Sequence, residues 1–166
     1  MFERFAKDAR VVVARAAEEA RELGSPTVEA EHMLLALAAD AAAPTGALLA
    51  AAGLDHDGVR AALERETERS LAAVGVAVPD LPEAPRDRRR QPRFAASVKR
   101  ALERAARVAG ARDDRRMITP HLLIGVLRAD VGTVPRALAA AGVDRVALAT
   151  RAERLLDARG RDGLSQ

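Results

Sequence analysis

Glu31-His32-Met33-Leu34-Leu35-Ala36-Leu37 is the stretch on which the fold turns, because it returns in altered form as Pro120-His121-Leu122-Leu123-Ile124-Gly125-Val126. The offset is 89 residues from His32 to His121, and the same offset carries Phe5-Ala6 onto Phe94-Ala95 and Ala50-Ala51-Ala52-Gly53 onto Ala139-Ala140-Ala141-Gly142. A register kept through separate strings marks two copies of one structural unit rather than chance runs of alanine. The nearly unbroken apolar run predicts a helix at the centre of each copy.

Composition supports this. Of 166 residues, 49% are apolar, ample for one compact domain or two small units sharing a core. Aromatics make up only 2%, as Phe2, Phe5 and Phe94. A chain dominated by alanine and leucine favours closely packed helices over a sheet, so the expected class is all-α. With no cysteine, disulfides, thiolate metal sites and cysteine nucleophiles are excluded, and an intracellular location is the simplest expectation. No apolar run approaches the roughly 20 residues that span a bilayer. Met1-Phe2-Glu3-Arg4-Phe5 enters an amphipathic pattern with an early acid, unlike a signal peptide. The expected compartment is the cytoplasm.

The net charge of +3 comes from 27 bases interspersed with 24 acids, the mixture of a solvated helical surface. Lys7 and Lys99 are the only lysines. The one basic cluster, Arg86, Arg88, Arg89, Arg90 and Arg93, falls between the copies. It reads first as a solvated linker and only second as a phosphate-binding patch on which a nucleic-acid-associated regulator would rely.

The periodicity predicts a first helix over about 4–23, with Phe5, Ala9, Val12, Val13, Ala16 and Ala20 on one face. Gly24-Ser25-Pro26 ends it. A second, central helix starts near Ala30, a third covers about 45–52, and Asp55 caps a fourth that runs to about 72. Pro79, Pro82, Pro85 and Pro92 interrupt any helix in 74–92, leaving 1–73 as the first repeat. The second repeat, 93–159, is expected as helices over about 94–109, 120–129, 134–141 and 144–158, with Thr119 as N-cap, Pro120 at the first helical position and a frayed tail at 160–166. Two four-helix units too small to bury their own cores should pack about a pseudo-twofold axis, and the groove between them is the natural ligand surface.

Met1-Phe2-Glu3-Arg4-Phe5, Glu18-Glu19-Ala20-Arg21 and the Glu31–Leu37 string together resemble the N-terminal domain of Clp-type AAA+ unfoldases, above all the ClpC branch. The resemblance covers the whole chain and includes the duplication. It implies two tandem Clp repeats that sit on a hexameric ATPase and receive substrates, adaptors or phosphoarginine-marked proteins. The sequence holds no G-x-x-x-x-G-K-[ST] string and neither lysine follows a glycine, so no ATP site is expected in these residues. No cofactor and no catalytic constellation are expected either. If complete, the chain resembles the free-standing Clp N-domain proteins, an expectation towards which a methionine start and a polar tail lean; if excised, the ATPase has been cut away.

The resemblance also assigns sites. Phe2, Arg10 and Val13 of the first copy, with Phe94, Lys99 and Glu103 of the second, match positions that in ClpC-type N-domains line the surface contacted by cyclic-peptide antibiotics, near the adaptor-binding regions. The family reads phosphoarginine through a glutamate in each repeat, a carboxylate pairing with a guanidinium. Glu31 keeps that carboxylate, whereas Pro120 replaces it in the second copy and Ala6 and Ala95 stand where a threonine is usual. The plainer reading of Glu31 is a favourable charge at a helix N-terminus. His32 and His121 read as packing residues rather than metal ligands, and His56 as a surface residue. The implied function is a non-catalytic module that binds peptides, adaptors or cyclic-peptide ligands, and so modulates a ClpC–ClpP system or sequesters its ligands. The alternatives are a degenerate phosphoarginine reader and the basic regulator using the arginine-rich linker.

Overall fold

The computed structural model describes residues 2–77 and 91–162, without the side chains of Phe2 and of residues 160–162. The linker cations Arg86, Arg88, Arg89 and Arg90 and the tail 163–166 lie outside the described residues. After a 3-10 turn over Phe2–Arg4, the first repeat forms α1 (Lys7–Glu22), α2 (Ala30–Ala38), α3 (Pro44–Ala51) and α4 (His56–Ala73). The second forms α5 (Ala96–Ala111), α6 (Thr119–Leu127), α7 (Thr133–Ala140) and α8 (Arg145–Asp162). Every helix of the second repeat begins and ends 89 residues after its counterpart.

Most expected boundaries hold within two residues, and two lie further off, the start of α1 and the end of α8. α1 begins at Lys7 rather than near Arg4, because Phe5 is drawn into a strand-like bridge to Met117. α8 continues through Asp162, past the expected end near Ala158. α6 starts one residue early, with Ile118 as N-cap and Thr119 as its first helical residue, so Thr119 does not cap its own helix.

The repeats are joined by an exchange of strands. β1 (Thr27–Val28), just before α2, pairs in parallel with β2 (Arg93–Phe94), the segment leading into α5. The pseudo-symmetric partner is the bridge between Phe5 and Met117. Ala95 N–H donates to the Val28 carbonyl at 3.0 Å, and Ala6 N–H to the Met117 carbonyl at 2.8 Å. Caps cross in the same way. Asp8 on α1 accepts from the backbone N–H of Thr119 at 3.2 Å and from its hydroxyl at 3.3 Å. Ser97, the equivalent residue on α5, accepts from Ala30 N–H at 2.9 Å and donates to Glu29. Each repeat therefore satisfies orphan donors in the first turn of the other's central helix.

Those central helices hold the core. α6 is buried along its whole length, and α2 along all of it except Glu31. Gly125 marks a close approach of α6 to α5, since a Cβ there would lie 2.3 Å from the Ala101 carbonyl oxygen.

The turn after α1 and the turn after α5 show how the copies solve one problem with different residues. Gly24 sits at φ 71° and its counterpart Asp113 at φ 59°. The next N–H closes each turn, from Ser25 to the Ala20 carbonyl at 2.8 Å and from Asp114 to Ala109 at 2.9 Å. A left-handed backbone suits glycine better than aspartate. Asp113→Gly is expected to stabilise the protein by about 0.5 kcal/mol net of glycine's entropy, raising Tm by ~1–2 °C in a thermal melt.

Candidate ligand-binding groove

The residues assigned to the ligand surface by resemblance differ in their exposure. Arg10 is exposed on α1 and its Nε donates to the Phe5 carbonyl at 3.1 Å. Lys99 and Glu103 are exposed one turn apart on α5, and Phe94 is half-buried in β2. Among the described residues no hydrogen bond or ion pair links Arg10 to Lys99 or Glu103. Val13 is corrected: at 4% exposure it belongs to the core, because it lies on the Ala9–Val13–Ala16–Ala20 face that α1 buries. The side chain of Phe2 lies outside the described residues.

A concavity lined by none of these residues lies at the junction of the repeats. A groove of about 1140 Å³ runs between the first two turns of α1, the ends of α2 and α8, and the starts of α3 and α6. Its apolar surface comes from Val11, Val12, Leu37, Pro44, Pro120 and Leu155, and Lys7, Arg15 and Arg159 stand among them. Val11 is 59% exposed, unusual for a β-branched aliphatic residue without a partner. Both acids of the groove are engaged. Asp8 accepts from Thr119, and Asp40 accepts from the N–H groups of Ala42 at 3.1 Å and Ala43 at 3.3 Å, leading into α3.

The pseudo-twofold counterpart of this groove has opposite character. Where the first has Val11, Pro120 and Leu155, the second has Arg100, Glu31 and Glu66. Arg136 on α7, the counterpart of Ala47, pairs through Nε with the Glu66 carboxylate at 2.5 Å, and Ser70 donates to the same oxygen at 2.7 Å. Glu66 is only 5% exposed, and these two partners hold its carboxyl below the ordinary glutamate range. Burial pushes the half-buried Glu31 upward, with Glu29 adding to the rise and Arg136 opposing it. An internal guanidinium thus already serves the acids of this side, and a guanidinium ligand would have to compete with it.

The histidines are structural. Nδ1 of His32 accepts from Glu29 N–H at 2.9 Å and Nδ1 of His121 from Ile118 N–H at 3.1 Å, closing the first turns of α2 and α6. Burial lowers both imidazole pKa values, against the pull of Glu29 and Glu19 on His32 and of Asp114 on His121. A neutral ring with its proton on Nε2 fits both, and His121 presents that nitrogen to Asp114 at 3.0 Å. His56, expected at the surface, is half-buried and meets the buried Glu19 at 2.9 Å, fastening α4 to α1. The Glu66–Arg136 and His56–Glu19 pairs carried no signal in the sequence, since their members lie far apart and neither pair is repeated at the equivalent positions of the other copy, Leu155 with Ala47 and Arg145 with Val108. Among the described residues no group of three or more His, Asp or Glu could hold a metal ion, and no helix is long and apolar enough to cross a membrane.

A duplicated helical unit, strand-exchanged and carrying a concave junction between its copies, defines an all-α domain of two repeats. The model of the Clp repeat (R) N-terminal domain matches residues 4–86 and 93–163, and the chain belongs to that family. It is 31% identical over 156 residues to an ATP-dependent Clp protease ATP-binding subunit ClpA homolog of Guillardia theta, covering 94% of this chain and 17% of that protein. It is 30% identical over 156 residues to the chloroplastic chaperone protein ClpC of Pisum sativum, covering 94% of this chain and 15% of the relative. The chain therefore spans about a sixth of the length of these curated relatives. The N-terminal domain of the caseinolytic protease associated chaperone ClpD from Arabidopsis thaliana superposes with a TM-score of 0.71 at 25% identity, covering 95% of this chain and 97% of that one.

Proposed function

We propose that this chain is a non-catalytic Clp N-domain module that receives protein or peptide segments, adaptors or cyclic-peptide ligands in the cytoplasm. It thereby modulates a ClpC-type ATPase working with a ClpP-type protease, or sequesters ligands aimed at that machine. The observation that carries this reading is the match of both repeats to the Clp repeat family across nearly the whole chain. The relatives that share it are named as chaperones and as ATP-binding subunits of a Clp protease. The 166 residues themselves contain no phosphate-binding loop. For the first-helix surface the contact set is Phe2, Arg10, Phe94, Lys99 and Glu103, mixing aromatic and arginine anchors of the kind that dominate binding energy.

The test is calorimetric titration of a ClpC-binding cyclic peptide into the wild-type protein and into Phe2→Ala and Arg10→Ala variants. Saturable heat is expected from the wild type, with each variant weakened about tenfold or more. A wild-type protein that takes up no cyclic peptide overturns the cyclic-ligand form of the proposal.

A further inference from the structure

We infer that the open inter-repeat groove is a site for linear peptides, separate from the first-helix surface, and that it takes an extended segment with an apolar side chain immediately followed by an acidic one. This rests on the peptide-binding reading above and names the ligand chemistry. The apolar walls, Val11 and Val12 on α1, Leu37, Pro44, Pro120 and Leu155, offer a dry seat for one aliphatic side chain. The charge around that seat is unbalanced in a particular way. Asp8 and Asp40 already accept backbone N–H groups leading into α6 and α3, whereas Lys7 and Arg159 have no ion-pair partner among the described residues. Arg15 reaches only Glu19, at 3.5 Å, and is itself half exposed. α1 also begins at the groove wall with Ala6 as its N-cap and no side-chain cap, so the positive end of the helix lies beside the seat. The three cations of the lining outnumber its two acids, each of which already accepts backbone N–H groups, so a carboxylate is favoured there over a guanidinium or ammonium.

The pseudo-twofold counterpart cannot offer the same seat, because Arg100, Glu31 and Glu66 replace its apolar walls and Arg136 closes on Glu66. One such site per chain follows, although the fold is duplicated.

The probe is the blocked hexapeptide acetyl-Gly-Ala-Leu-Asp-Ala-Gly-amide, titrated into the ¹⁵N-labelled full chain and followed by amide chemical shifts. Two control peptides carry Asn for Asp or Gly for Leu. Saturable shifts are expected at Lys7, Val11, Leu37, Leu155 and Arg159, fitting one site. The Asn peptide should bind about tenfold more weakly, the scale of a hydrogen bond to a charged group. Arg159→Glu and Lys7→Glu, both at exposed positions, should each narrow the gap between the Asp and Asn peptides, and Val11→Asp should abolish binding of all three. Each variant's spectrum reports its own folding. Equal affinity for the Asp and Asn peptides overturns the inference, as do shifts centred on Arg100, Arg128 and Glu31. Shifts confined to Arg10, Lys99 and Glu103 also overturn it while leaving the peptide-binding reading in place. Absence of shifts at millimolar peptide overturns it too, and the cyclic-peptide titration then judges the wider reading independently.

Discussion

Phe5→Ala is expected to destabilise the protein by about 3–5 kcal/mol, lowering Tm by ~6–20 °C, whereas Phe94→Ala should cost about half as much or less. The two phenylalanines are equivalent by the repeat and both lead into the first helix of their copy. Their surroundings differ. Phe5 is 1% exposed and is held by its bridge to Met117, so truncation removes a full aromatic side chain from between the repeats and leaves a cavity there. Phe94 is half-buried in β2, so water can occupy part of what is lost. Because Phe5 sits where one repeat grips the other, the loss should appear as an earlier single transition, not as separate melting of one copy. Paired thermal or urea melts of the two variants decide the matter, and equal losses would contradict the asymmetry.

The second large effect is a change of sign for one substitution at two places. Gly125→Ala is expected to destabilise by about 1–3 kcal/mol, because the new Cβ would meet the backbone oxygen of Ala101 at 2.3 Å and the amide nitrogen of Ala105 at 3.0 Å. Neither atom belongs to a side chain that can swing away, so α5 and α6 must part. The Arg104 hydrogen bond to the Gly125 carbonyl, at 2.7 Å, would be disturbed with them. Gly110→Ala, near the end of α5, should instead stabilise by about 0.5–1 kcal/mol, since nothing lies within 4 Å of its Cβ position and alanine is the better helix former. Thermal melts of the two variants should fall on opposite sides of the wild type.

These cases show what could be read from the chain and what could not. The helices were legible because the 89-residue register checks each boundary twice, and the unbroken apolar runs around Leu34 and Leu123 could only be central. The strand exchange was not, since Thr27–Val28 and Arg93–Phe94 are two residues each, too short for an alternating pattern. The groove was legible as a place but not in its character. Its chemistry depends on α8 of one repeat lying over α3 of the other, which sets Leu155 beside Pro44, while the symmetric crossing sets Glu66 against Arg136. Val13 was misjudged because equivalence to a family position says nothing about how deeply α1 is buried here. His56 and Glu19 were missed as a pair because 37 residues separate them.

The crossed caps also set an order of assembly. Ser97 reaches Ala30 across 67 residues, whereas Asp8 reaches Thr119 across 111. Closing the longer loop costs about 0.4 kcal/mol more chain entropy, so the Ser97 side of the clasp is the cheaper one to form first. Once it is in place, the chain between Asp8 and Thr119 is already shortened by a fixed crossing, and the second grip closes at a discount. The clasp is therefore expected to start from the Ser97 end about twice as often as from the other, although at equilibrium its two halves look alike.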